Sequence, residues 1–167
     1  MYQFNIYYLR FFTTILSVLC FFNIIYSYYF NLYLNVDSYF YTLLISLLPL
    51  TSIFFKLKLD NKVSIYFKIQ TVILGYFFLP LLISLPYYFS IYNITFIDAY
   101  FESISGFTST GFTMFDNIKH LDESLIIWRS SSQWIGGLYF LFSILLLIDI
   151  FDDNLKKTLT NFLSFNT

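Results

Sequence analysis

Apolar residues run along this chain in four long blocks, at 11–30, 39–55, 69–89 and 125–148, separated by shorter stretches that collect the charges. A hydrocarbon core takes roughly 20 apolar residues to cross, within a range of about 17–25, so each block predicts a membrane-spanning helix. The second block is near the short limit, and Pro49 predicts a kink in it. The third contains Pro80 and Pro86, which a membrane helix tolerates where neighbours satisfy the carbonyls they free. Arg129 lies early in the fourth, where it either snorkels to the interface or faces protein.

A fifth element lies between the third and fourth blocks. Thr95-Phe96-Ile97-Asp98 is a capping-box-like start with Asp in place of the usual Glu. It predicts a short helix over 96–106 that presents Phe96, Ala99, Tyr100 and Ser103 at helical spacing and ends at Gly106. At 1.5 Å per residue this helix is about 16 Å long, half of a ~30 Å core, so it cannot span.

Composition decides the class. The chain is 58% hydrophobic, 25% aromatic and 11% charged, with a mean hydropathy of +0.69, whereas soluble domains carry about 25% charged residues. Disorder, collagen and a nucleic-acid-binding arm are excluded, and a net charge of -1 offers no footprint for nucleic acid. The single cysteine, Cys20, closes no intrachain disulfide. The first block is too long for a signal-peptide core and no small-residue cleavage site follows it, so it is expected to remain as a span.

Charge also sets topology. Lys56, Lys58, Lys62 and Lys68 fall between the second and third blocks, and Lys156 and Lys157 follow the fourth. Positive-inside bias puts both chain ends and the Lys56–Lys68 loop in the cytoplasm. The stretch from Asp98 to Glu123 is then external. The expected fold class is an all-α integral membrane protein with four transmembrane helices, one re-entrant pore helix and a filter loop. Its parts are residues 1–62 as two N-terminal helices, 63–150 as one helix–pore loop–helix repeat with the loop at 108–113, and 151–167 as a cytoplasmic tail.

The chemistry centres on Phe107-Thr108-Ser109-Thr110-Gly111-Phe112-Thr113, uncharged and dense in hydroxyls around one glycine. By itself this string also reads as a hydroxyl-rich external turn. A half-length helix followed by polar irregular backbone is, however, what a re-entrant loop requires, because such backbone persists at membrane depth only inside protein or along a watery cavity. Entering from outside, the helix points its partial negative charge inward. Carbonyls there can replace the hydration shell of a cation, and Gly111 supplies backbone freedom.

At these residues the sequence resembles a known family. The run from Asp98 through Thr113, followed by Trp128-Arg129-Ser130-Ser131-Ser132-Gln133-Trp134-Ile135-Gly136-Gly137, is similar to the first pore loop and the next helix of TrkH-type subunits in the Trk/Ktr/HKT potassium transporters. Leu79-Pro80 through Leu85-Pro86 fits the helix before the loop. The resemblance covers about 65–148, and 11–55 looks like the two extra helices that precede the first repeat. It implies a pore built from four such repeats. Ser109 and Thr110 would line potassium sites through their carbonyls, Gly111 and Phe112 would continue the strand, and potassium is the transported ion with no organic cofactor. It also implies a bacterial inner-membrane homodimer with a cytoplasmic nucleotide-binding regulatory subunit. One repeat supplies a quarter of such a filter, so the chain is expected to be part of a longer transporter or to work with other copies. After Gly137 the family usually keeps small residues, whereas this chain has Leu138-Tyr139-Phe140.

Other residues carry alternatives. Asp98 and Glu102, four apart on one helical face, would serve an intramembrane enzyme as an acid/base pair. Otherwise Asp98 stabilises the helix start and Glu102 supports the loop, with Gly106, Thr108 and Thr113 completing that support. His120, among Asp116, Asp122 and Glu123, reads as a solvated loop histidine before a weak metal ligand. Gly136 and Gly137 predict close helix packing, and Gln133 a hydrogen bond within the bundle. A non-conducting membrane interaction protein remains the reading from a different class.

Overall fold

Five helices account for the residues described by the computed structural model, 2–49 and 65–164. They are α1 (Tyr2–Tyr29), α2 (Val36–Leu47), α3 (Ile65–Ser90), α4 (Phe96–Phe107) and α5 (Glu123–Ser164), with single 3₁₀ turns at Tyr33–Asn35 and Ile118–His120. Three of them contain stretches long and apolar enough to cross a membrane, Tyr7–Tyr29, Tyr66–Ser90 and Glu123–Ile148. The protein is all-helical among the described residues and crosses the membrane more than once.

The second expected span coincides with α2 in its first part, and residues 50–55 lie outside the described residues, as do Lys56, Lys58 and Lys62. Pro49 has no N–H for the Ile45 carbonyl, which takes the Leu48 N–H instead, so the α-helix stops at Leu47. At the other end of the chain α5 runs through residue 150 without a break to Ser164, so most of the expected tail continues the last helix.

α1 packs on α2, α3 and α5, and α4 is held between α3 and α5. The core is aromatic and aliphatic, with Phe12, Leu16, Tyr39, Leu79, Tyr87, Trp128 and Tyr139 buried. Hydroxyls threaded through it return to carbonyls of their own helices, as Thr13 does to Arg10 and Ser103 to Ala99. Two serine pairs bridge helices, Ser17 with Ser46 at 2.8 Å and Ser38 with Ser90 at 2.7 Å. Such small polar residues let membrane helices approach closely and hydrogen-bond across the contact.

The start of α5 is a polar joint. Asp122 caps the helix, its Oδ1 accepting the Ser124 N–H at 2.9 Å. The Ser124 hydroxyl donates to the same oxygen and accepts from Tyr39 OH at 3.1 Å and Asn35 Nδ2 at 3.5 Å. Asn23 of α1 donates to the Ser124 carbonyl at 3.4 Å. One serine thereby ties α1, α2 and the turn before α2 to the N-terminus of α5.

Both prolines of α3 sit inside the helix. They free the carbonyls of Tyr76 and Leu82, four residues back. Side-chain donors from other elements land on the adjacent carbonyls: Tyr100 OH of α4 on Phe77 O at 3.0 Å, and Trp128 Nε1 of α5 on Ile83 O at 3.0 Å. The weakened turns of α3 thus become its attachment points. Trp128→Phe keeps the ring and loses the N–H, so it is expected to lower unfolding stability by about 0.5–1.5 kcal/mol. Thermal unfolding in detergent is the measurement, and an unchanged midpoint would contradict this use of Trp128.

Candidate functional site

The short helix α4 begins on Thr95, whose Oγ1 accepts the Asp98 N–H at 3.2 Å and donates to Asp98 Oδ2 at 2.7 Å. The carboxylate of the capping pattern therefore accepts a hydrogen bond from the cap's hydroxyl. Asp98 also places a negative charge in the first turn, where the helix dipole favours it.

The buried stripe of α4 is Ala99, Glu102, Ser103 and Gly106, whereas Phe96 is exposed and Tyr100 half-buried. Of the four residues expected at helical spacing, Ala99 and Ser103 lie on this stripe and Phe96 and Tyr100 do not. The reason is steric: Gly106 lies so close to α5 that a Cβ there would sit 2.7 Å from Ser132 Oγ. Gly106 is thus a packing position inside the helix, which runs on to Phe107. The turn that ends it is made by Ser109 at φ 57°, with Ser109 N–H donating to Gly106 O at 3.0 Å and Thr110 N–H to Ser105 O at 3.1 Å. That is a Schellman closure with a serine where glycine is usual.

Phe107 meets α5 at Gly136, the middle of the Glu123–Ile148 stretch, and a Cβ on Gly136 would lie 1.8 Å from the Phe107 carbonyl oxygen. From there the chain returns to the start of α5 as an irregular loop. Gly111 has φ +80°, and a Cβ on it would meet nothing within 4 Å, so backbone conformation, and not space, calls for glycine here. Ser105 Oγ donates to the Phe112 carbonyl at 2.6 Å, and Thr110 Oγ1 donates to Ser105 O at 3.2 Å. Thr108 Oγ1 donates back to Ile104 O at 2.8 Å. Residues 108–114 are exposed in this chain, Phe112 by 70%.

Behind the loop is a buried charge pair. Glu102 is 1% exposed and Arg129 8%, and Arg129 Nη1 donates to Glu102 Oε1. The carboxylate also accepts the Met114 N–H at 3.0 Å and the Thr113 hydroxyl at 3.1 Å, both through Oε2. Arg129 Nη1 reaches Thr113 Oγ1 at 3.1 Å. One cluster therefore joins α4, the far end of the loop and α5. A buried arginine and a buried glutamate are each costly alone, which was the available sign that they belong together. Sequence reasoning left Arg129 between lipid and protein and outside the site.

Asp98 and Glu102 turn to different partners, one to Thr95 and the other to Arg129. Gly137 has open space around it, and Gln133 is exposed on α5. Gly137 lines a cavity of about 400 Å³ with Tyr76, Phe107, Ser109 and Phe140. His120 is exposed, and no group of metal-binding side chains forms among the described residues.

The TrkH family profile, described as a cation transport protein, matches residues 40–160. The match extends beyond 65–148 on both sides. An uncharacterized cation transporter of Methanocaldococcus jannaschii is 44% identical over 54 residues, 32% of this chain and 11% of the relative. The Trk system potassium uptake protein TrkG of Escherichia coli is 48% identical over 46 residues, 28% of this chain and 10% of its own length. The Escherichia coli Trk system potassium uptake protein TrkH is 41% identical over 56 residues, 33% of this chain and 12% of its own. The chain thus spans about a tenth of the length of the curated relatives it matches. No solved structure matches it significantly.

Removing one charge of the buried pair strands the other. Glu102→Gln is expected to destabilise the fold by about 3–5 kcal/mol, because the guanidinium of Arg129 is left without its counter-charge. Denaturant or thermal unfolding in detergent measures this, and a loss below about 1 kcal/mol, the scale of an exposed pair, would contradict the burial.

Proposed function

Since the chain belongs to the TrkH family of cation transport proteins, we propose that it serves potassium uptake and that the loop at 108–113 is one strand of a cation-selective filter. In this reading α4 is a re-entrant pore helix. At 12 residues it is about 18 Å long, short of a ~30 Å core. The observation that carries the reading is the contact of its end with the middle of α5 while a buried Glu102–Arg129 pair holds the returning loop. An external turn needs no such pair.

In this reading each residue has its own role. Carbonyls of Ser109 and Thr110 replace part of the hydration shell of potassium, with Gly111 continuing the strand. Phe112 is anchored by its carbonyl on Ser105. Glu102 and Thr113 hold the returning end of the strand, Thr108 ties its start to α4, Asp98 fixes the start of that helix, Gly106 lets it lie against α5, and Gly136 seats its end. Gln133 and Gly137, both left open, suit contact with neighbouring repeats of the same pore. No covalent step is involved; the membrane potential drives the ion, at about 2.3 kcal/mol per charge for 100 mV.

A single strand surrounds a quarter of an ion, so the remaining strands come from further repeats or from other copies. The lysine distribution favours both ends in the cytoplasm, and placement in the inner membrane rests on the resemblance. Dimer formation and gating by a cytoplasmic nucleotide-binding subunit belong to the same proposal on the strength of the resemblance alone.

The test is Gly111→Val in the complete transporter, expressed in cells that lack other potassium uptake. A β-branched residue at φ +80° distorts the strand. Half-saturation for potassium is expected to rise at least about tenfold, equivalent to 1.4 kcal/mol, or discrimination against sodium to be lost. Wild-type affinity and selectivity in that variant would overturn the filter assignment.

A further inference from the structure

Tyr139 lies fully buried on α5, three residues beyond Gly136. Its ring centroid is 4.7 Å from that of Phe12 on α1, 5.0 Å from Tyr76 on α3 and 5.4 Å from Phe107 at the end of α4. Its hydroxyl donates to the Val72 carbonyl at 2.9 Å. That oxygen occupies space left by Gly75, where a Cβ would lie 1.8 Å from it. One side chain of α5 thus touches α1, α3 and α4 together.

Phe107 is the residue from which the loop departs. Gly136 seats its carbonyl and Tyr139 backs its ring, so successive turns of α5 hold the end of α4 by backbone and side chain. We infer that Tyr139 is a positioning residue for the filter loop, fixing Phe107 against α1 and α3 and so setting where the Ser109 and Thr110 carbonyls stand. The inference rests on the loop being the filter. It gives α1, which lies outside the helix–loop–helix repeat, a mechanical path to the ion site through the Phe12–Tyr139 contact. Cation coordination depends on where carbonyls stand, so a small displacement of Phe107 alters affinity and selectivity while the pore stays intact.

The test compares Tyr139→Leu, which removes the ring, with Tyr139→Phe, which keeps it, in the complete protein. Phe142→Leu is the control, because that ring contacts Phe11 and Phe12 of α1 at 5.5 and 5.8 Å. Gly75→Ala, which presses on the Tyr139 hydroxyl from α3, is a second route to the same displacement should the leucine variant fail to fold. The first readout is hydrogen exchange at the amides of residues 108–111, which needs no transport. Exchange is expected to quicken on the order of tenfold in Tyr139→Leu and Gly75→Ala, and to stay near wild type in Tyr139→Phe and Phe142→Leu. The second is uptake: half-saturation for potassium is expected to rise with the maximal rate largely kept. Equal exchange at 108–111 in Tyr139→Leu and Phe142→Leu would overturn the inference. Absent uptake by the wild-type protein would instead count against the filter reading, and the exchange data would still decide the role of Tyr139.

Discussion

A carboxylate and a guanidinium taken out of water each lose several kcal/mol of solvation, and they recover it only with close mutual contact and further hydrogen bonds on the remaining sites. Glu102 and Arg129 meet those terms. The carboxylate gathers Arg129, Thr113 and the Met114 N–H, and the guanidinium shares Thr113. The pair therefore dictates more than its own position. For Arg129 to reach Glu102, α4 must lie directly on α5, which the glycine at 106 permits against Ser132 and the glycine at 136 permits against Phe107. For Thr113 and Met114 to reach the same carboxylate, the loop must fold back along α4.

The rest of the bundle keeps that contact in register. α5 is fixed at its start by the Asp122–Ser124 joint, which binds α1, α2 and the turn between them. α3 is fixed where its prolines break the regular ladder, by Tyr100 from α4 and Trp128 from α5. In a medium without water, backbone groups loosened by proline must find partners within the protein. Here side chains of the two helices that carry the loop bond the carbonyls next to those the prolines free, Phe77 O and Ile83 O, so α3 is attached to α4 and α5 at its irregular turns.

Much of this was legible along the chain. Three of the four expected spans, those of α1, α3 and α5, followed from apolar length, and the short helix from the Thr95 cap and the polar run after it. Three features were not. Helical spacing grouped Phe96, Ala99, Tyr100 and Ser103 without saying which of them is buried, and close approach to α5 selected Ala99, Ser103 and Gly106. Gly106 looked like a stop signal, since its contact with Ser132 comes from another helix, and the stop itself is a serine at positive φ. The Glu102–Arg129 pair joins residues 27 apart in different elements, and periodicity within either element says nothing of the other. Spacing reveals which face a helix has; only packing reveals what that face meets.

A double-mutant cycle on Glu102 and Arg129, read in the half-saturation for potassium of the complete transporter, bears most directly on the claim that this pair holds an ion-coordinating strand. Glu102→Gln and Arg129→Gln are each expected to weaken potassium selection, and the combined variant to be no worse than either alone, because both break one joint. Effects that simply add in the double variant, or single variants with wild-type affinity and selectivity, would contradict it.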